Sequence, residues 1–95
     1  MGSTFEWSES KNRQNITKHG IAFETAQFAF NDPYRIIALD RKHSNAKEHR
    51  YFCYGIVDGY VITVRFTVRN TTIRIFGAGY WRSGRRMYHE KNKIF

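Results

Sequence analysis

Apolar and polar residues alternate without a break over residues 60–69. Tyr60, Ile62, Val64, Phe66 and Val68 share one parity, and Val61, Thr63, Arg65, Thr67 and Arg69 the other. A period of two marks a half-buried strand. Asp58-Gly59 stands just upstream, and a type I′ turn needs positive φ at both central positions, so residues 50–57 should fold back antiparallel on this strand. Val57 then faces Tyr60, Cys53 faces Val64, Phe52 faces Arg65 and Arg50 faces Thr67. Asn70-Thr71 supplies a second tight turn, which sets Thr67 opposite Arg74 and Arg65 opposite Phe76.

The pattern before and after the hairpins is less regular. Phe5-Glu6-Trp7 is a short apolar opening compatible with an edge strand. Ser8 is an N-cap for a helix over residues 8–19 that ends at Gly20, with Lys18 and His19 at the negative end of its dipole. Phe23, Ala26, Gln27 and Phe30 predict a second, short helix, stopped by Asn31-Asp32-Pro33. Residues 34–40 form a strand, residues 40–49 a polar loop, and residues 79–84 a glycine-bracketed turn. Residues 85–93 form a short basic helix that frays into a tail.

Folded this way, the sheet has two unlike faces. Tyr51, Cys53, Val57, Ile62, Val64, Phe66, Val68, Ile73 and Ile75 line the apolar one. The other carries two rows, Arg50-Thr67-Arg74 and Phe52-Arg65-Phe76. The expected architecture is therefore α+β, with two N-terminal helices packed on the apolar face of a four-stranded antiparallel sheet. The arginine and aromatic face is left open. Scattered polar residues on a strand usually mean only a solvated surface. Arginines interleaved with rings are instead the chemistry that grips phosphates and stacks bases, and like charges on neighbouring strands persist where an anion is expected.

Composition agrees with that face. Sixteen Lys and Arg against eight Asp and Glu give +8 and a pI near 10.0, which favours a polyanionic partner, nucleic acid before a membrane surface. Ninety-five residues suit one domain, 1–95, with 17% aromatic content. Cys53, the single cysteine, falls on the apolar parity and should be a buried, inert thiol in a reducing cytoplasm. No apolar run nears the roughly 20 residues of a membrane span, and no signal-peptide core opens the chain. Met1-Gly2-Ser3 has the look of an expression scar, although a native start also fits.

The motif survey is mostly negative. There is no GxxxxGK[ST], GxGxxG or GxSxG. The histidines, His19, His43, His49 and His89, are scattered, and the carboxylates stand singly, so neither a zinc site nor a two-metal site is expected, nor any other cofactor. A metal-free ribonuclease fits what remains, because RNA carries its own nucleophile, the 2′-OH. The enzyme need only align it, move a proton and neutralise charge on the phosphate. Arg50, Arg65, Arg69 and Arg74 could supply the charge, and His43, His49, Glu48 or Tyr88 the acid and base. Plainer roles stand beside these: His19 as a helix cap, His43 and His49 as loop residues, Tyr88 as an anchor, Glu48 as a partner for Arg50, and Phe76 and Trp81 as packing.

An ordered series of residues then resembles the BrnT family of bacterial toxins. The series is Phe5-Glu6-Trp7, Lys11, Asn15, Lys18-His19-Gly20, Phe23-Glu24, Ala26, Asp32-Pro33, His43-Ser44, Glu48 with Arg50, Gly55, Thr67, Arg69 and Ile73-Arg74-Ile75. The resemblance implies a RelE-like fold, a cytoplasmic endoribonuclease that halts growth by cutting RNA, and a cognate BrnA-like ribbon-helix-helix antitoxin through which alone operator DNA is reached. The family's polar positions fall here on His43, Glu48, Arg50, Thr67, Arg69, Arg74 and Tyr88. This suggests catalysis by His43, Glu48, Arg69, Arg74 and Tyr88. RNA would be bound by Arg50, Phe52, Arg65, Thr67, Phe76, Trp81, Arg82 and Arg85. One segment departs from the pattern. Where the family commonly runs Ile-Ser-Ala-Arg, this chain has Phe76-Gly77-Ala78-Gly79, so that arginine is either replaced, by Arg82 or Arg85, or simply missing. The competing readings are a nucleic-acid-binding module that does not cut, and a scaffold whose basic face chiefly holds the antitoxin.

Overall fold

Turn geometry sets the sheet. In the computed structural model, which describes residues 4–93, Asp58 and Gly59 take φ of 52° and 85°. They join β3 (Arg50–Val57) to β4 (Tyr60–Arg69). The pairing is Val57 with Tyr60, Cys53 with Val64, Phe52 with Arg65 and Arg50 with Thr67, as the alternation requires. Asn70, with φ 58°, turns the chain into β5 (Thr72–Gly79), where Thr67 meets Arg74. Beyond that pair the expected register fails. A bulge sets Arg65 opposite Gly77 instead of Phe76, and Phe76 becomes the extra residue. Period-two reasoning assumes an unbroken ladder, so it does not see an inserted residue.

The expected four-stranded antiparallel sheet is also corrected. The sheet has five strands, in the order β1-β5-β4-β3-β2, and it is mixed. β1 (Thr4–Glu6) is the added strand, parallel to β5 with Glu6 opposite Arg74. Three residues carry no periodicity that could name a partner so distant in sequence. β2 (Ile36–Leu39) forms the other edge, antiparallel to β3.

The helices cover both faces, again unlike the expectation. α1 (Glu9–His19) starts at Ser8, whose side chain accepts from the Lys11 N–H, and ends at Gly20 with φ 71°. The second helix is split into α2 (Phe23–Ala26) and a 3-10 stretch (Gln27–Asn31). Ile21, Phe23, Ala26 and Ala29 close over Cys53, Ile62, Val64, Phe66, Ile75 and Ala78 to make the main core. Val68, placed on that face by parity, is 48% exposed near the end of its strand. At Gly55 a Cβ would lie 2.3 Å from the Ala29 carbonyl oxygen, so only glycine permits this approach.

α3 (Arg82–Asn92) occupies part of the face expected to be open. Its residues Tyr88 and Met87 pack with Tyr54, Val61, Ile36, Ala38 and Phe52. Gly84 sits on Thr63 so closely that a Cβ would fall 1.9 Å from Thr63 Oγ1. The apolar stripe of this helix is only a glycine, a methionine and a tyrosine wide, too thin to mark a docked helix in the sequence. No helix among the described residues is long and apolar enough to cross a membrane. Met1-Gly2-Ser3, with its two readings, lies outside the described residues.

Candidate active site

Strands β3, β4 and β5 carry Arg50, Thr67 and Arg74 in one row, as the alternation foresaw. Their charges are partly answered. Arg50 Nε donates to Glu48 Oε1 at 3.0 Å, Arg69 Nη2 to Glu48 Oε2 at 3.2 Å, and Arg74 Nη1 to Glu6 Oε2 at 3.2 Å. The Thr67 hydroxyl donates to the His49 carbonyl at 2.8 Å. The hydrogen bond from Arg50, then that from Arg69, holds the Glu48 carboxyl below the usual carboxylate range. A carboxylate clasped by two guanidinium groups is a weak proton acceptor and a good clamp.

Arg65 differs from these three. No Asp or Glu among the described residues makes an ion pair with it. Its guanidinium lies over the Phe76 ring at 5.2 Å, and that of Arg50 lies over the same ring at 4.5 Å. The stem of Arg65 runs over Gly77, where a Cβ would stand 3.4 Å from Arg65 Cδ. The bulge thus puts one aromatic ring against two cations. Next to Arg65 opens a cleft of about 400 Å³, lined by His43, Phe52, Tyr54, Thr63, Trp81 and Ser83.

His43 enters this cleft from the loop after β2. Its Nδ1 is 2.8 Å from Asp40 Oδ2, and its backbone N–H donates to Asp40 Oδ1 at 3.3 Å. Asp40 is only 5% exposed. Its own N–H donates to the Arg50 carbonyl, and the Ser44 hydroxyl donates to the Asp40 carbonyl at 2.7 Å while accepting from the Arg50 N–H at 2.8 Å. A carboxylate can only accept, so Nδ1 carries the hydrogen and Nε2 of the neutral ring is left as an acceptor. This is a base with its orienting group, the pairing that proton transfer requires.

The structure brings His43, Phe52, Arg65, Phe76 and Trp81 together, with Glu48, Arg50, Thr67, Arg69 and Arg74 beside them on the same sheet face. It does not bring in the others. Arg82 is exposed at the first turn of α3, and Arg85 lines a different cleft with Tyr60, Val61 and Tyr80. His49 lines a depression with Leu39, Arg41 and Asn45. Tyr88 is 1% exposed, and its hydroxyl donates to Asp32 at 2.5 Å. Burial first, and that bond second, push its phenol well above the ordinary value. Sequence reasoning missed Asp40 and Glu6. The Asp-x-x-His spacing at a strand end was the available signal for Asp40, whereas Glu6 had none, since its partner lies 68 residues away. Among the described residues no three His, Cys, Asp or Glu side chains converge as metal ligands.

The profile of a family described as "Ribonuclease toxin, BrnT, of type II toxin-antitoxin system" matches residues 7–84. No curated protein matches the chain.

Proposed function

The chain belongs to the BrnT family of ribonuclease toxins of type II toxin-antitoxin systems, and we propose that it is an endoribonuclease that needs no metal and cuts RNA by attack of a 2′-OH on the adjacent phosphate. His43 Nε2 takes the 2′-OH proton, while Asp40 fixes the ring and stabilises the imidazolium that forms. As the 2′-oxygen bonds to phosphorus, Arg65 and Arg50 neutralise the charge gathering on the phosphate oxygens. The bond to the 5′-oxygen breaks and that oxygen takes a proton from water, leaving a 2′,3′-cyclic phosphate and a 5′-hydroxyl, and the imidazolium then returns its proton to solvent. Glu48, Arg69 and Arg74 act around this centre: the carboxylate fixes two guanidinium forks, and Arg74 and Arg69 grip neighbouring phosphates. Tyr88 serves as the anchor of α3.

Family membership implies an antitoxin and an RNA substrate. A ribbon-helix-helix antitoxin that covers the basic face would block this groove, and operator DNA would be bound through that antitoxin alone. The observation that carries the catalytic reading is the Asp40–His43 pair, its Nε2 without a hydrogen-bond partner among the described residues, lining a cleft beside Arg65, which makes no ion pair with a carboxylate among those residues.

The test uses antitoxin-free protein in EDTA, with free RNA and with ribosomes. Wild type should yield cyclic-phosphate ends, and His43→Ala and Arg65→Ala should lower the rate by about a hundredfold or more while keeping native circular dichroism. RNA bound but never cut by the wild type would replace this reading with that of a binding module.

A further inference from the structure

α1 does more than cover the core. β1 pairs with β5 only as far as Arg74. Further along, α1 takes over the exposed strand edge through Asn15, whose Oδ1 accepts from the Ala78 N–H at 3.2 Å and whose Nδ2 donates to the Ala78 carbonyl at 3.0 Å. One flank of the helix therefore rises beside the arginine face as a wall.

Between that wall and the bulged strand lies a second cleft, of about 330 Å³. Lys11, Lys18 and His19 line it from α1, and Arg65, Phe76 and Trp81 from the other side. Arg65 and Trp81 also line the His43 cleft, so the two spaces share a partition. Among the described residues no carboxylate lines this second cleft. Neither Lys11 nor Lys18 has an ion-pair partner among the described residues. Converging cations without an acid indicate an anionic ligand.

Its aromatic walls narrow the choice. Trp81 lies flat against the glycine of β5: a Cβ at Gly79 would come 2.7 Å from the indole ring. The His19 ring meets that indole edge-on, with centroids 5.2 Å apart. An inorganic anion would need the cations but not a positioned indole. A nucleotide needs both, a cationic clamp for its phosphate and a ring face for its base.

We propose that this cleft is a subsite for one nucleotide, with its phosphate held by Lys11, Lys18 and Arg65 and its base stacked on Trp81. If the ribonuclease reading above holds, on which only this placement rests, the nucleotide is the one next to the cut bond, one partition away from His43. The subsite then contributes to which bond is cut, and α1 is part of the substrate groove.

The experiment has two arms. In the first, the full-length His43→Ala protein is titrated with the four nucleoside 5′-monophosphates, the matching nucleosides and inorganic phosphate, while the Trp81 indole N–H resonance is followed by NMR. Monophosphates should shift it saturably, nucleosides more weakly, with Trp81→Leu raising Kd about tenfold and Lys18→Gln about fivefold. In the second arm, cleavage of short RNAs by otherwise wild-type protein should show KM raised by Lys18→Gln, but not by Lys91→Gln, an equal charge change at an exposed site on α3. Cleaved RNA with no nucleotide shift at Trp81 and equal KM in both lysine variants would overturn the subsite and leave the ribonuclease standing. Nucleotide binding at Trp81 with no RNA cleavage would do the reverse. A shift produced equally by inorganic phosphate alone would also overturn the subsite, since the base would then add nothing.

Discussion

The docking of α1 makes the sharpest test of how this fold is held. A surface helix ordinarily adheres through an apolar stripe, but on α1 the buried residues are Asn12 and Asn15, while Ile16 is 45% exposed. Asn15 makes three hydrogen bonds to main-chain groups: Nδ2 to the Ile21 carbonyl at 2.9 Å, Nδ2 to the Ala78 carbonyl at 3.0 Å, and Oδ1 from the Ala78 N–H at 3.2 Å. Asn15→Ala strands all three in a buried place. An unpaired buried group costs roughly 1–3 kcal/mol, and with each of the three at the lower end the loss should be about 3 kcal/mol. A domain of this size has about 5–14 kcal/mol in total, so the fold should survive with its Tm lowered by about 15 °C. Urea unfolding followed by circular dichroism measures it, with an unchanged m value as the sign that the end states are the same. Ile16→Ala, by contrast, should cost below about 1 kcal/mol, because nearly half of that side chain is already in water. If Asn15→Ala costs less than Ile16→Ala, α1 is held by apolar contact and the reasoning fails.

Three further outcomes are expected. Thr63 Oγ1 is buried with no hydrogen-bond partner among the described residues, so Thr63→Val, which keeps the shape, should raise stability by about 1 kcal/mol in the same urea assay; a loss of that size would contradict this. Cys53 is fully buried, and burial pushes its thiol up to about 12. It should therefore resist a disulfide reagent at pH 8 until the protein unfolds, and labelling at the rate of a free thiol would contradict this. Partial burial works against the Asp32 carboxylate, but hydrogen bonds from Tyr88, Ile56 and Tyr34 outweigh it and hold its pKa below the usual value. A lowered folded pKa gives stability that is present above about pH 4 and lost as pH falls through the folded value, so Asp32→Asn should cost most near pH 7 and least below pH 3.

The hairpins were legible because both turn chemistry and strict alternation pointed to them. Asp58-Gly59 had to turn, and the parity of residues 60–69 then fixed every pair as far as Arg65. The rest depended on contacts between distant segments. β1 is too short to show a period, the bulge at Phe76 breaks the count, α1 docks through asparagines that no hydropathy pattern marks, and α3 buries only a narrow stripe around Gly84 and Tyr88. The candidate site was legible in the same uneven way. The arginine rows stood out because like charges on adjacent strands demand an explanation. Asp40 did not, because its role exists only once the loop after β2 turns His43 back onto it.

In the stretch from Phe76 to Trp81, the glycine at position 79 has a physical explanation. A side chain at Gly79 would point into space already filled by the indole of Trp81, whereas a Cβ at Gly77 would touch the stem of Arg65 only at ordinary van der Waals distance. A Cβ at Gly79 would come 2.7 Å from that indole, so any larger residue there must drive Trp81 off the strand. Gly79 and Trp81 therefore go together: a side chain is absent from the end of β5 where a ring from the following turn lies on it. From the neighbouring strand, Arg65 reaches across Gly77 to the Phe76 ring. Arg82 and Arg85, the nearer substitutes in sequence, sit on α3, one of them in another cleft. On this reasoning Gly79 lets a ring face stand beside Arg65 and Phe76, the arrangement that the proposed phosphate-binding groove would use.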